Sequence, residues 1–248
     1  MQSTATDQTQ PSIGPSAARF RRFRTNPVAW GETFLVNRDG APRRYRDYQK
    51  DDLLCSSGRI AHLDGRSVGK TIDLSTLVLW FASVHKGKSA LVVAPYQGQL
   101  DTIIEEVEHQ LARAPLLDDA VARGSDGRRK IKRQPYFQAE FTSGCKVHFR
   151  PGGTRGDSFR SLHVDFLLVD EAAWLPDAAW DALRQCLNPG GRFRVYSTPN
   201  GLRDTTYYRI TQSKEWKVFQ WPSWITPDWS EERRKELVEF YGGEHTAG

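Results

Sequence analysis

The chain has 248 residues and a formal net charge of +5. That length can bury the core of one large α/β domain, with or without a small appendage, and the modest basic excess permits a nucleic-acid partner without requiring one. The three cysteines are far apart and form no C-x-x-C pair, so the sequence supports neither a disulfide framework nor a zinc site and is typical of a reducing, cytosolic compartment. The most apolar stretch, residues 74–84, is too short to span a membrane.

The N-terminal segment, from Met1 to about Asn26, is rich in Ser, Thr, Gln and Pro and lacks the apolar core of a secretory signal. It predicts a mobile tail, which we place at residues 1–30. The segment ends in arginines that either contact nucleic-acid phosphates or are simply solvated, and solvation is the simpler interpretation. These arginines are Arg19, Arg21, Arg22 and Arg24.

A short helix is predicted to begin near Arg43 and to lead to Cys55. It carries Gln49 beside two tyrosines, just upstream of a glycine-rich loop. The amide of Gln49 can pair with the donor and acceptor edge of adenine while the ring of Tyr45 or Tyr48 stacks on the base. An ordinary helix surface is the alternative interpretation.

The stretch from Ile60 to Thr71 is an apolar strand followed by a tight loop that ends in Gly-Lys-Thr and opens a helix. This context is typical of a phosphate-binding loop, in which backbone N–H groups point at the β-phosphate, Lys70 reaches the β and γ oxygens, and the Thr71 hydroxyl coordinates Mg²⁺. Asp64 stands where the G-x-x-x-x-G-K-[ST] pattern has its first glycine, and Gly65 follows it. The loop is therefore a deviant Walker A motif; for Gly-Lys-Thr taken alone, a surface turn is the alternative.

Helix and strand signals alternate after this loop. Apolar residues recur at helical spacing from Leu74 to Val84, residues 89–94 form a short apolar run closed by Pro95, and residues 99–111 again show an apolar helical face. This alternation favours a parallel sheet with helices on both faces, in which ligands bind at the carboxyl ends of the strands.

A polar loop over residues 118–133 precedes two extended runs, 136–142 and 146–150, which are joined at Ser143-Gly144 and predict a hairpin. The loop contains five cations that we call the basic cluster. They are Arg128, Arg129, Lys130, Lys132 and Arg133.

Residues 164–169 are a largely apolar run followed directly by Asp170 and Glu171. Four apolar residues before two acids are typical of a Walker B strand, which delivers Asp170 to the Mg²⁺ shell while Glu171 orients and polarises the water that attacks the γ-phosphate. The alternative is a strand that simply meets solvent at two acids. The presence of Lys70 upstream favours the catalytic interpretation.

A helix is predicted over residues 177–187 and a further strand over residues 192–196, which leads into the polar segment from Ser197 to Gly201. Polar groups at this strand end are placed to report whether a γ-phosphate is present, and a plain Pro-Asn-Gly turn is the alternative. A last short helix is predicted over residues 230–241.

Five motifs, in this order along the chain, resemble those of the ATPase domain of the large terminase subunit, the motor that pumps DNA into the heads of tailed bacteriophages and herpesvirus-like capsids. The resemblance spans about residues 45–221. Each motif alone is weak, whereas the ordered set is specific. The motifs are Tyr48-Gln49, Gly65-Arg66-Ser67-Val68-Gly69-Lys70-Thr71, Val92-Val93-Ala94-Pro95-Tyr96, Leu168-Val169-Asp170-Glu171-Ala172-Ala173 and Ser197-Thr198-Pro199-Asn200-Gly201.

The resemblance implies an α/β fold, that of a P-loop NTPase of the additional-strand, catalytic-glutamate type. In this fold a mostly parallel central sheet is flanked by helices, with a small partial lid. The implied activity is hydrolysis of Mg-ATP coupled to translocation of double-stranded DNA into a procapsid. The implied partners are double-stranded DNA, further copies of the chain in a homo-oligomeric ring (a pentamer), a portal protein and the small terminase subunit, all in the host cell cytoplasm and without a membrane.

The resemblance also assigns residues. Arg66 is the loop arginine that links nucleotide state to DNA grip, and Arg160 stands where an arginine finger acts on the neighbouring subunit, with a salt-bridged surface arginine as the alternative. Both are implied to be catalytic together with Glu171, and the basic cluster is the candidate DNA-facing surface. The implied ATP contacts are Tyr48, Gln49, Gly65, Arg66, Ser67, Val68, Gly69, Lys70, Thr71, Ser197 and Thr198, and the implied Mg²⁺ ligands are Thr71 and Asp170.

The end of the chain departs from the family pattern. Complete subunits continue into an RNase H-like nuclease with clustered metal-binding carboxylates, and no such cluster follows Trp221 here. We therefore expect no nuclease activity and divide the chain into a tail (1–30), an ATPase core (31–224) and a short C-terminal helix (225–248) that forms part of a lid or a linker.

Two alternatives stay open. A helicase-like P-loop ATPase shares the acid after the Walker B strand, but it has a second domain with arginine fingers for which this length leaves no room. A nucleotide-gated scaffold binds ATP without turnover and has no need of Glu171. Phosphate release with duplex DNA, single-stranded DNA and a strand-displacement substrate distinguishes these alternatives.

Overall fold

The structure, a computed structural model, describes residues 22–227 and 229–241. Its strands are β1 (Arg59–Asp64), β2 (Ser89–Ala94), β3 (Ile131–Lys132), β4 (Gln138–Glu140), β5 (Lys146–Pro151), β6 (Val164–Val169), β7 (Leu187–Val195) and β8 (Lys217–Trp221). They form one sheet in the order β3-β4-β5-β2-β6-β7-β1-β8. The six neighbouring strands β5, β2, β6, β7, β1 and β8 run parallel. Strands β3 and β4 pair antiparallel at one edge of the sheet. The predicted mostly parallel sheet is confirmed.

The helices are α1 (Pro27–Phe34), α2 (Asp47–Leu53), α3 (Lys70–Val84), α4 (Gln97–Arg113), α5 (Asp177–Cys186), α6 (Thr206–Gln212) and α7 (Glu231–Tyr241). Three short 3₁₀ turns, Pro115–Ala120, Ala172–Trp174 and Ser223–Ile225, complete the regular structure described. None of these helices is long and apolar enough to cross a membrane.

Helices cover both faces of the sheet, because alternate residues of each central strand point to opposite sides. On β6, Phe166 joins the apolar cluster beneath α3 and α4, whereas Leu167 joins the cluster that includes Trp180 of α5 and Tyr207 of α6. The strand sequences are therefore apolar on both faces, as in other sheets that are buried between two layers of helices.

Helix α3 is buried more completely than its apolar stripe predicts. Every residue from Asp73 to Ser83 is buried. The side of α3 turned away from the sheet is covered by Trp30 of α1 and by Tyr45, whose hydroxyl lies 2.8 Å from Thr76 Oγ1. Helix α3 is thus the central helix of the domain.

The predicted tail ends earlier than residue 30. Residues 27–34 form α1: the Asn26 side chain accepts a hydrogen bond from the Ala29 N–H (2.8 Å), Pro27 occupies the first turn, and Trp30 is fully buried. The Asn-Pro pair was the available start signal for this helix. The rest of the predicted tail, residues 1–21, lies outside the described residues.

Other predicted elements are confirmed with shifted ends. Strand β7 begins at Leu187, directly after α5, rather than near residue 192. Its first half contains Asn-Pro-Gly-Gly, which as a sequence signals a turn, and its pairing with β6 shifts register between Val164 and Phe166. The predicted hairpin is present as the antiparallel pair β4 and β5.

Candidate nucleotide-binding site

A cavity of about 690 Å³ opens at the carboxyl ends of strands β1, β6 and β7. Its lining combines residues of the Walker A loop, the Walker B strand end and the segment after β7. The lining residues are Arg66, Ser67, Val68, Gly69, Lys70, Thr71, Ile72, Gln99, Thr102, Asp170, Glu171, Trp174, Thr198 and Pro199. Three predicted motifs, whose lining residues extend from Arg66 to Pro199 in the sequence, thus meet at one site.

Glycines shape the Walker A loop at two positions. Gly69 precedes α3 with φ +100°, a left-handed conformation that favours glycine. A Cβ on Gly65 would lie 2.3 Å from Ser223 Oγ, because the loop packs against the turn after β8. The Arg66 N–H also donates to Ser223 Oγ (2.9 Å) and the Gly65 N–H to the Trp221 carbonyl (2.7 Å). This packing gives a reason for glycine at position 65, one residue after the position that the standard pattern prescribes.

Lys70 is held inside the loop by two oxygens. Its ammonium donates to the Gly65 carbonyl (3.1 Å) and to Thr198 Oγ1 (3.0 Å). A phosphate that enters the cavity would compete for these donors, since a charged acceptor makes the stronger hydrogen bond. Thr198 thereby contacts the lysine that is predicted to reach the phosphates.

Asp170 has the surroundings of a cation ligand. It is 7% exposed, and its Oδ1 has no hydrogen-bond partner among the described residues. Burial and the neighbouring Glu171 charge raise the pKa of Asp170 to about 7. Thr71 lines the same cavity, so the two side chains together offer the oxygen donors that a hard cation prefers.

Glu171 follows Asp170 in a left-handed conformation, with φ 47° and ψ 42°. Its carboxylate accepts a hydrogen bond from Ser197 Oγ (3.4 Å). The 3₁₀ turn after it is held by the segment that follows β7: Ser197 Oγ accepts from the Ala173 N–H (3.1 Å), and Asn200 Nδ2 donates to the Ala173 carbonyl (2.7 Å). The predicted coupling segment therefore fixes the backbone that carries Glu171.

Tyr48 and Gln49 lie behind the loop rather than in the cavity. The Tyr48 hydroxyl donates to the Val68 carbonyl (2.9 Å). The Gln49 amide accepts from the Arg46 N–H (3.1 Å) and donates to Asp73 Oδ1 (2.9 Å). Because both polar groups of Gln49 have partners within the protein, the predicted pairing with adenine would require these hydrogen bonds to be exchanged.

Tyr45 does not face the cavity either. Its ring is 5% exposed and packs in the core against α3. The hypothesis that Tyr45 stacks on adenine is therefore corrected: its hydroxyl bonds to Thr76 inside the protein.

A buried charged network lies beneath the loop. His62 on β1 is fully buried, with Nε2 3.1 Å from Asp52 Oδ1 and Nδ1 3.3 Å from Asp64 Oδ1. Burial opposes the charge of His62, but these carboxylates outweigh burial and raise the pKa of His62 to about 9. Burial likewise opposes the charge of Asp52, while Arg194 and His62 lower its pKa to about 2. This network joins α2, β1 and β7.

The remaining predicted residues lie outside the cavity. Arg160 is about half exposed, and its guanidinium contacts Asp157 (3.1 Å) and the Arg155 carbonyl (2.9 Å) of its own loop. In the basic cluster, four of the five cations are paired with carboxylates: Arg128 with Asp126, Arg129 with Asp118, Lys130 with Glu140, and Arg133 with Glu108.

Several residues of the site were not predicted from the sequence. Trp174, 55% exposed, and the polar side chains of Gln99 and Thr102 on α4 complete the cavity wall. No local pattern singles them out, because they reach the site through the packing of α4 and the turn after β6. The network of His62 and Arg194 had a signal: both are ionisable residues within otherwise apolar strands.

The fold and the cavity define a P-loop ATPase. The family model for the terminase large subunit, T4likevirus-type, N-terminal, matches residues 62–238, and the chain belongs to that family. It is therefore related to the ATPase domains of phage packaging motors.

Solved structures of similar fold agree with this placement. The Thermus phage P74-26 large terminase ATPase domain is 18% identical, with a TM-score of 0.58, over 82% of this chain and 88% of that one. The bacteriophage HK97 large terminase is 15% identical, with a TM-score of 0.66, over 87% of this chain and 47% of that one. This chain thus spans about half the length of that complete subunit. A search of curated proteins found no match.

A large terminase from another thermophilic bacteriophage has a similar fold in complexes with ADP and with ATP-γ-S. These two structures are 16% and 14% identical to this chain and have TM-scores of 0.56. The matched region is 81% of this chain for the ADP complex and 92% for the ATP-γ-S complex, and in both cases it is 51% of the other chain.

Proposed function

We propose that this chain is the motor domain that couples hydrolysis of Mg-ATP to translocation of double-stranded DNA into a viral procapsid. The observation that carries the proposal is the meeting of Lys70, Asp170 and Glu171 in one cavity of a terminase-family chain. Lys70 neutralises charge on the β and γ phosphates, and Glu171 orients and polarises the attacking water.

Mg²⁺ would be held by the Thr71 hydroxyl and the Asp170 carboxylate. The support is chemical: Asp170 has a buried carboxylate oxygen without a hydrogen-bond partner among the described residues, and Thr71 lines the same cavity. When bound, the ion supplies neutralisation of charge on the phosphate oxygens. Ser67, Val68 and Gly69 present backbone to the phosphates, while Tyr48 and Gln49 act on the nucleotide through the loop that they support.

Two arginines would connect the site to its surroundings. Arg66 is exposed at the cavity mouth, where its side chain can follow the state of the nucleotide. Arg160 is exposed away from the cavity of its own chain, which suits a finger that acts on a neighbouring copy in a ring. We propose a homo-oligomeric ring on a portal protein, working with a small terminase subunit in the host cytoplasm.

Phosphate release by the chain with Mg-ATP, measured alone, with duplex DNA and with single-stranded DNA, tests the proposal. We expect release in all three conditions and the largest stimulation by the duplex. Nucleotide binding without release in every condition would favour a scaffold. Strand displacement by the chain would favour a helicase.

A further inference from the structure

A row of positive side chains lies at the amino-terminal ends of the parallel strands, on the side of the sheet opposite the nucleotide cavity. The six parallel strands β5, β2, β6, β7, β1 and β8 begin on this side of the sheet. Basic residues stand at the beginning of the regular pairing of five of them, or up to three residues before it. We call this set the basic edge. It consists of Lys146 (β5), Lys86 and Lys88 (β2), Arg192 (β7), Arg59 (β1), and Lys214 and Lys217 (β8).

The strand register brings Lys146, Arg192, Arg59 and Lys217 to about one level, and Lys86 and Lys214 lie in the turns just before β2 and β8. Lys146 pairs with Ser89 at the start of β2, and Arg59 pairs with Phe193, the residue after Arg192. On the far side, Lys217 pairs with Ile60. Neighbouring strands are about 4.8 Å apart, so the row from β5 to β8 is about 24 Å long.

Few carboxylates balance this charge. Asp165 pairs with Lys88 and Glu215 pairs with Arg59, each at 2.9 Å. Lys86, Lys146 and Lys214 are exposed, and none of them lies within ion-pair distance of a carboxylate in the part of the chain that the structure describes. Glu140, opposite Lys146 on β4, is itself paired with Lys130.

A partly buried histidine lies beside this row of positive side chains. His85 caps the end of α3 at this edge. Burial lowers its pKa, and the charges of Arg192, Arg24 and Lys88 lower it further, to about 4. His85 is therefore neutral near pH 7 and adds no cation to the basic edge.

The basic cluster between α4 and β4 differs in this respect. Four of its five cations already have carboxylate partners. A cation that must leave a carboxylate gains less from a phosphate than a solvated cation does, because one attraction replaces another. Exposed cations without such partners are therefore better suited to hold a polyanion.

We propose that the basic edge holds the phosphate backbone of double-stranded DNA, an inference that rests on the proposed function. Duplex DNA carries one charge per about 1.7 Å of its axis, so a row of about 24 Å faces about 14 phosphate charges. Binding of this kind releases counterions and is indifferent to sequence. DNA and ATP then lie at opposite ends of the same strands, β1, β6 and β7.

The test compares two triple variants of the full chain. The edge variant is Lys86→Ala, Lys146→Ala and Lys214→Ala; the cluster variant is Arg128→Ala, Arg129→Ala and Lys130→Ala. Affinity for a duplex of arbitrary sequence is measured by fluorescence anisotropy over a range of KCl concentrations. We expect the slope of log affinity against log salt to fall by about 3 in the edge variant, with an affinity loss on the order of 10²-fold at 0.1 M salt.

Two controls separate this result from a folding defect. Replacement of the same three lysines by arginine keeps the charge and is expected to keep the slope. Phosphate release without DNA is expected to be unchanged in the edge variant, since its lysines lie far from the nucleotide cavity.

Three outcomes would overturn the proposal. An unchanged slope in the edge variant with a lower slope in the cluster variant would place DNA on the basic cluster and leave the proposed function intact. A loss of self-association, measured as mass by light scattering, with unchanged DNA affinity would make the basic edge a contact between copies. No duplex binding by the wild-type chain would remove both this inference and the DNA part of the proposed function.

Discussion

Lys70 and Glu171 occupy the same cavity, but they contact different partners before nucleotide binds. The Lys70 ammonium is hydrogen-bonded to Gly65 and Thr198, from which a phosphate can draw it. Glu171 contacts Ser197 and has no cation partner among the described residues. We therefore propose that Lys70 interacts with the charge of the bound substrate, whereas Glu171 acts on a water that matters only in the transition state.

The substitution Lys70→Ala is expected to weaken ATP binding about 10- to 100-fold, as for the loss of a charge-assisted hydrogen bond, and to abolish turnover. Glu171→Ala is expected to lower kcat about 10²- to 10⁴-fold with nearly unchanged ATP affinity. Nucleotide affinity by calorimetry and single-turnover phosphate release measure the two effects.

Lys132→Ala, which removes an exposed lysine far from the cavity, is the control for loss of charge alone. It should leave both ATP affinity and turnover at the wild-type level. Equal loss of ATP affinity in Lys70→Ala and Glu171→Ala would refute the separate role of Glu171.

The residues that the sequence identified are those whose chemistry depends on local context. Lys70 begins a helix after a strand, and Asp170 follows an apolar run. The role of each residue can therefore be predicted from the few residues next to it in the sequence. Trp174 and the Asn200 contact to Ala173 depend on which strands become neighbours in the sheet. A single sequence does not specify that arrangement at residue resolution.

At the scale of elements, α2 supports the Walker A loop from behind. Tyr48 bonds to the loop backbone and Gln49 bonds to Asp73, one turn into α3. Asp73 is fully buried, and its Oδ2 already lacks a hydrogen-bond partner among the described residues. Burial raises the pKa of Asp73 well above its ordinary value. Loss of the Gln49 contact would leave this carboxyl group without the donor that holds it.

We expect Gln49→Ala to lower the free energy of unfolding by about 2 to 3 kcal/mol, because a buried acceptor and a backbone donor lose their partner. Binding of ATP and GTP should weaken equally, since the loop rather than the base contact is disturbed. Denaturant unfolding and calorimetry with both nucleotides measure these effects.

Gln97→Ala is the matched control, because the exposed side chain of Gln97 bonds, within the described part of the chain, only to Asp101 on its own helix. It should change stability by less than about 0.5 kcal/mol. A selective loss of ATP over GTP in Gln49→Ala would instead identify Gln49 as an adenine contact.

The network of His62, Asp52 and Arg194 makes stability depend on pH. The folded pKa of His62, about 9, lies above its ordinary value of 6.5. The charged form therefore stabilises the fold fully below pH 6.5, and this contribution disappears as the pH rises through about 9. The difference corresponds to about 3 kcal/mol.

Thermal or urea unfolding between pH 6.5 and pH 10 should show this decline in the wild-type chain. The variant His62→Leu should have lower stability at pH 6.5 and a flatter dependence on pH. His163→Gln, which replaces an exposed histidine, should retain the wild-type decline. An equal decline in His62→Leu would show that other groups cause it.

At the scale of the whole molecule, Arg160 is expected to act on a neighbour. It does not line the cavity of its own chain, so any large effect of Arg160 on hydrolysis would have to come through a second copy. A finger of this kind contributes about 10³ to 10⁵ in turnover. Arg160→Ala should therefore bind ATP and be nearly inactive.

A mixing experiment tests action between copies. Arg160→Ala keeps its own site but supplies no finger, and Glu171→Ala supplies a finger beside an inactive site. Under conditions where wild-type turnover per chain rises with protein concentration, the mixture should recover part of the activity. Arg155→Ala, on the same exposed loop, should keep full activity alone, and no recovery in the mixture would exclude action between copies.

The order of elements was predictable at this scale because the alternation of helix and strand leaves few topologies. Residues 164–169 and 89–94 were placed correctly as strands, since each apolar run is shorter than a typical helix and is bounded by turn or acidic residues, which decides between strand and buried helix. Helix α1 was missed because its burial depends on the outer face of α3. The length of β7 was missed because Asn-Pro-Gly-Gly reads as a turn.

The left-handed conformation of Glu171 places stability and activity in conflict: a side chain at this position lowers the stability of the fold, whereas turnover is proposed to need the carboxylate. Glu171 and Ser67 are the two non-glycine residues with positive φ in the described chain, and both line the nucleotide cavity. A side chain in this conformation destabilises a fold by about 1 kcal/mol relative to glycine. Glu171→Gly should therefore be inactive yet unfold at a higher temperature than Glu171→Ala, and the absence of that difference would show an unstrained turn. If the difference is found, selection for turnover has kept an acid at a position where selection for stability alone would favour glycine.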